Sequence, residues 1–197
     1  MIQPPPQAPL QQRWRRPVRW LHGALALTIS LQMLNSLIMS SPFHRHPSAF
    51  GLGVFSVHEY LGLVAAGVIV LHWLWLAIDR QHLFAHLFPW GSQNRWQVVD
   101  DLREMLCWRL PSEGERAGLA GFVHGLGLLL ATAMGATGAT IYLLMGNGHS
   151  PGWLLWLADA THSALSTLMW AYLGGHVLLA GVHHFIGHPT LKRMFTG

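Results

Sequence analysis

Charge is scarce in this 197-residue sequence. Asp, Glu, Lys and Arg make up 10% of it, whereas a soluble domain carries about 25%. A chain so poor in charge, and 51% hydrophobic, lacks the polar surface that a soluble globular protein presents. Cysteine is nearly missing too. The lone Cys107 excludes an intramolecular disulfide framework and any iron–sulfur cluster held by several thiolates. No flavin or nicotinamide fingerprint occurs, so the chain is not equipped to start from a hydride donor. Carboxylates are also rare in the apolar runs, with Glu59, Asp79 and Asp159 lying at their ends.

What is present is four long apolar runs, near residues 18–40, 55–78, 119–145 and 160–186. Each reaches the ~20 residues needed to cross a bilayer core, and none shows the polar face of a soluble helix. The expected fold is therefore all-α, an integral membrane four-helix bundle over residues 13–197. Residues 1–12, rich in Pro and Gln, are expected to form a disordered tail. "RWRR" before the first run resembles the start of a secretory or twin-arginine signal. That run is too long for a signal core and is followed by no small-residue cleavage site, so it is taken as a span.

The sequence pI near 10 does not indicate a nucleic-acid partner, because the basic residues sort by loop. Arg13, Arg15, Arg16 and Arg19 precede the first run. Arg80, Arg95, Arg103, Arg109 and Arg116 separate the second from the third, and Lys192 and Arg193 follow the fourth. Only Arg45 lies in the other two loops. Positive residues mark the cytoplasmic side, so both termini are expected to be cytoplasmic. The 41–54 and 146–159 loops then face outward, with Trp153 and Trp156 in an interfacial belt. In the long inner connection, "RWQVVDDLREMLCWRL" puts Val98, Val99, Leu102, Met105 and Leu106 at helical spacing. Arg95, Asp100, Asp101, Arg103 and Glu104 take the other side, as in a helix lying on the membrane surface. Gly121 and Gly125 form a GxxxG step expected to serve close helix packing.

Histidine is the chemistry-bearing residue, with 14 copies. "HSALSTLMWAYLGGH" carries His162 and His176 fourteen residues apart, and "HEYLGLVAAGVIVLH" repeats the step with His58 and His72. Fourteen residues rise about 21 Å and return to within about 40° of the same helix face. Each run thus presents two imidazoles on one side at two depths. His58 and His162 lie near the outer end, and His72 and His176 nearer the inner. A lone histidine is explained by an interhelical hydrogen bond. A haem-free metal transporter would want carboxylates beside the histidines, and few are available. Two layers of imidazole suit two haems, each held edge-on between helices by one axial imidazole from either side. Gly62, Ala65, Gly174 and Gly175 are small residues along these stripes. With both axial positions filled, such irons would carry electrons and would not bind oxygen. The outer pair is His58 with His162. On the inner side His176 could pair with His22, His72 or His124, and spacing alone favours His72.

"RWLHG" opening the first span, "VHEYLG" opening the second and "GGHVLLAGVHHFIGHPTLKRM" closing the chain resemble the bacterial cytochrome b561 family. Related four-helix b-type subunits serve membrane-bound hydrogenases and formate dehydrogenases. The resemblance covers roughly residues 13–195, and the fourteen-residue step on the fourth span is its most specific part. It implies one ligand from span 1, one from span 2 and two from span 4. Carried over, His22 pairs with His176 inside and His58 with His162 outside, holding the iron of two haem b groups. His72 falls where many members have an arginine, so it either stands beside the inner haem or replaces His22 as ligand. His124 is a haem neighbour, a quinone contact or a packing residue. Arg15, Arg16 and Arg19 are topology determinants, with pairing to haem propionates as the alternative role.

His183 and His184 sit at an interface, close to Lys192 and Arg193. His44, His46, His82, His86, His149 and His188 are most simply solvated. The expected partners are membrane lipid and quinone or quinol. On the other face they are a periplasmic dehydrogenase, a hydrogenase, a cytochrome c or a small oxidant such as superoxide. Two roles follow from the resemblance, a free-standing quinone-linked oxidoreductase and the membrane subunit of a dehydrogenase or hydrogenase complex.

Overall fold

The computed structural model describes residues 15–42, 46–79, 83–107, 118–146 and 152–186. The expected tail, 1–12, falls outside them, as do His44, His82, His149, His188, Arg13, Arg45, Arg80, Arg109, Arg116, Lys192 and Arg193. Among the described residues there are six helices and no strand. They are α1 (Arg16–Ser36), α2 (Ala49–Ile78), α3 (Ala85–Leu87), α4 (Ser92–Leu106), α5 (Leu119–Gly146) and α6 (Trp153–Phe185).

Three of them, α2, α5 and α6, are long and apolar enough to cross a membrane. The helix α1 is not among the three. It has 21 residues, and Arg16, Arg19, His22, Gln32 and Asn35 dilute its apolar surface. Two helices begin earlier than the hydrophobic runs suggest. The Ser48 hydroxyl accepts the Gly51 N–H at 3.0 Å and caps α2, so residues 49–54 are helix where a loop was expected. Likewise α6 starts at Trp153 behind Gly152, so residues 153–159 are its first two turns. Trp153 and Trp156 remain 76% and 72% exposed there, as interfacial indoles should.

Neighbouring long helices run antiparallel. Gln32 of α1 donates to the His58 carbonyl of α2 at 3.0 Å, and Gly62 makes room for it, since a Cβ there would lie 2.8 Å from the amide nitrogen. At the opposite end Arg15 pairs with Asp79 at 3.0 Å. Trp73 of α2 donates to the Thr132 hydroxyl of α5 at 3.0 Å. Met33, Ile69, Leu128, Ala131 and Met169 form one buried cluster drawn from α1, α2, α5 and α6. Outward, large apolar side chains such as Val64, Leu74 and Leu178 are exposed, which suits hydrocarbon and not water.

Two expectations are corrected by the packing. Gly121 and Gly125 do not receive another long helix. They seat the short segment around α3, because a Cβ on Gly121 would strike the His86 carbonyl and one on Gly125 the Leu87 carbonyl. Phe88 then stacks on Trp73 at 6.0 Å and on Trp90 at 6.4 Å. Asp101 does not lie on the polar face of α4. It is 4% exposed and accepts the Leu119 N–H at 2.8 Å, which satisfies an otherwise orphaned donor at the start of α5. The apolar positions Val99, Leu102, Met105 and Leu106 of α4 remain exposed.

Gly125→Ala is expected to destabilise the protein by about 1–3 kcal/mol, as overpacking does. Gly67→Ala, whose Cβ meets nothing within 4 Å in the interior of α2, is expected to stabilise by about 0.5–1 kcal/mol, the advantage of Ala over Gly in a helix. Thermal unfolding in detergent compares the two.

Candidate functional site

The histidines of the long helices gather into two tiers, named outer and inner after the orientation expected from the loop charges. In the outer tier, His58 of α2 faces His162 of α6, with ring centres 6.3 Å apart and planes at 90°. The Thr137 hydroxyl of α5 lies 2.9 Å from His162 Nδ1. Gly138 follows, and a Cβ there would come within 3.2 Å of the His162 ring. That glycine leaves the space the imidazole occupies. His58 Nδ1 is buried with no partner among the described residues.

In the inner tier, His22 of α1 lies 6.3 Å from His176 of α6 and 5.9 Å from His124 of α5, and His124 lies 5.0 Å from His176. One nitrogen from each of these three rings falls within 4.8 Å of the others. Tyr172, one turn before His176, stacks against it at 12°. Tyr172 occupies the place that a side chain on Gly127 would take. His124 Nδ1 is 2.7 Å from the Ala120 carbonyl. A carbonyl only accepts, so this nitrogen carries the proton and Nε2 keeps its lone pair. His72 Nδ1 is likewise 3.3 Å from the Val68 carbonyl, on its own helix. His72 is outside the three-ring cluster but lines the same cavity.

That cavity, about 420 Å³, is bordered by His22, His72, His86, His124, Tyr172 and His176 and is otherwise mainly apolar. Such a size is in the usual range for ligand and cofactor sites. The expectation of a solvated His86 is corrected here: it is 4% exposed and lies in the cavity wall. Its burial follows from α3 docking on Gly121, a tertiary contact with no local pattern in the sequence. Trp75 also lines the cavity, with a buried indole N–H that has no partner among the described residues. Of the remaining candidates, Arg19 lies half-buried one turn before His22, Arg15 is engaged by Asp79, and His46 and His184 are exposed. His183 is half-buried at the end of α6. Gly62 accommodates Gln32, and a Cβ on Gly174 or Gly175 would meet nothing within 4 Å.

An imidazole bonds a transition metal at about 2.0–2.1 Å, and its nitrogens lie about 1.1 Å from the ring centre, so two imidazoles on opposite sides of one ion have centres about 6.3 Å apart. Two pairs, His58 with His162 and His22 with His176, have this separation. His124 and His176, at 5.0 Å, are too close to face each other across an ion. Buried imidazole nitrogens without partners are costly, and His22 and His58 both carry one. A group bound between the rings offsets part of that cost. The donor set therefore fits iron held between imidazoles.

Apolar helices with opposed imidazoles between them define a class, the helical membrane proteins that carry haem b. The model of the prokaryotic cytochrome b561 family matches residues 13–197, and the chain belongs to that family. It is thus a membrane b-type cytochrome of electron transfer. No curated protein and no solved structure matches it.

Gly138→Val would press on the His162 ring and is expected to lower haem b content relative to Gly53→Ala, where a Cβ meets nothing within 4 Å. A pyridine haemochrome assay on the purified variants measures this.

Proposed function

We propose that this chain moves electrons across a bacterial inner membrane through two haem b groups, one in each histidine tier. His58 and His162 hold the outer iron, and His22 and His176 the inner. The observation that carries this reading is the pair of equal 6.3 Å ring separations at two depths. Along α6 the ligands are fourteen residues apart, a rise of about 21 Å. In this reading α1 is a fourth span, both termini are cytoplasmic, and the helices form a four-helix bundle. The antiparallel pairing of α1 with α2 and the clustering of arginine on one side support it.

When bound, haem supplies one-electron exchange at an iron. The chain does the rest. His58 with His162, and His22 with His176, would hold the two groups, and irons held so would carry electrons and would not bind oxygen. Met33, Ile69, Leu128 and Met169 keep water out of the layer between the tiers. Arg19, beside His22 on α1, is available to a propionate.

Quinone or quinol is the proposed exchange partner on the inner side. A periplasmic dehydrogenase, a hydrogenase, a cytochrome c or a small oxidant such as superoxide would serve the other face. The cluster of His22, His124 and His176 favours one second reading, a haem-free transition-metal site.

Purified protein is expected to contain two haem b per chain. His22→Ala is expected to lose the inner haem and keep the outer, while His72→Ala keeps both. Loss of a haem in His72→Ala with retention in His22→Ala would reverse the inner assignment. Metal without haem absorption bands would favour the second reading. A dehydrogenase recovered in stoichiometric amount with the native protein would identify a complex subunit, and quinone-linked turnover by the isolated chain a free-standing one.

A further inference from the structure

We propose that Thr137 is a positioning residue for the outer iron: it fixes the tautomer of His162 and holds that iron's reduction potential down. This rests on the reading of His58 and His162 as the outer axial pair.

The Thr137 hydroxyl has three neighbours within reach. It is 2.8 Å from the Ala133 carbonyl, 3.1 Å from the Met134 carbonyl and 2.9 Å from His162 Nδ1. A hydroxyl has one proton to give and lone pairs to accept with. A helical threonine ordinarily gives that proton to a carbonyl three or four residues back, and both such carbonyls are in place. The contact with His162 is then made with the hydroxyl accepting, so Nδ1 carries the hydrogen and Nε2 keeps its lone pair. That is the tautomer a metal ligand requires.

Gly138 completes the seat. A Cβ there would lie 3.2 Å from His162 Cε1 and 3.7 Å from Nδ1. One residue of α5 supplies the acceptor, and the next withdraws so that the ring can reach it. His58, across the tier, has no such partner, its Nδ1 being buried and unsatisfied among the described residues. Thr137 therefore acts on one of the two outer ligands.

The consequence has a sign. An acceptor at Nδ1 makes the imidazole a more basic ligand. A more basic ligand stabilises ferric iron more than ferrous, and so lowers the potential. Thr137→Val keeps the branched shape and removes the hydroxyl acceptor, leaving the Met134 carbonyl as the backbone acceptor beside His162; Thr137→Ser keeps both. Thr140→Val is the control, since among the described residues the Thr140 hydroxyl bonds its own helix, at 2.9 Å to the Ala136 carbonyl.

Redox titration of the purified cytochrome tests this. In Thr137→Val one of the two haem midpoints is expected to rise. A tenfold loss of ferric preference reads as about 59 mV for a one-electron couple. The other midpoint stays in place, and Thr137→Ser and Thr140→Val match the unaltered protein. Two haems with unchanged midpoints in Thr137→Val would overturn the proposal while leaving the di-haem reading intact. Should Thr137→Val lose one haem instead, retention in Thr137→Ser supports the proposal and loss in Thr137→Ser overturns it. If the unaltered protein holds one haem, or His162→Ala retains both, the outer-site reading fails and this proposal with it.

Discussion

A neutral imidazole brought into hydrocarbon has two nitrogens to satisfy and no water to satisfy them. Most of the interior organisation answers that constraint. His72 and His124 spend Nδ1 on the carbonyl one turn back in their own helices, and His162 spends it on a hydroxyl of the neighbouring helix. In the first two the bond fixes which nitrogen is protonated and leaves the other for a partner between the helices. His22 and His58 have no partner at Nδ1 among the described residues, so their burial relies more on what occupies the space beside them. Histidines retained on these terms are better suited to ligation than to holding helices together.

Close approach is set by glycine, and its placement decides which elements reach the site. Gly62 admits Gln32, and Gly127 admits Tyr172. Gly121 and Gly125 admit the carbonyls of His86 and Leu87. Through that last contact the short α3 segment lies against α5 and brings His86 into the inner cavity. Phe88, stacked between Trp73 and Trp90, then fixes the segment from the other side. A GxxxG step thus packs a connection and shapes a cofactor-sized cavity by doing so.

The long helices were legible in the sequence because apolar runs of this length have few other uses. The His162–His176 step was legible because helical periodicity turns a spacing into a shared face and a depth. Helix starts were less so. Hydrophobicity marks where lipid contact begins, whereas Ser48 and Gly152 start their helices one or two turns earlier. Asp101 and His86 were placed on the wrong side because each is buried by a partner distant in sequence, the Leu119 N–H and the Gly121 backbone. Spacing also favoured His72 as the inner partner of His176. The family resemblance points instead to His22 on α1, whose ring lies 6.3 Å from that of His176, a proximity that no periodicity within one helix contains.

The site lies along a seam. The helix α1 packs chiefly on α2, and α6 chiefly on α5, while α2 and α5 join the two halves. The Trp73–Thr132 hydrogen bond crosses that join. Both 6.3 Å ring pairs also cross between the halves, His58 of α2 to His162 and His22 of α1 to His176. A group bound in either tier therefore ties α1–α2 to α5–α6, and its binding free energy adds to the stability of the folded chain. This bears most on α1, the least apolar of the four long helices. Its hold on the far half runs through Met33, with Leu25 and Ile29 packed on the same cluster, and through His22, so a group bound in the inner tier would add to a modest apolar contact.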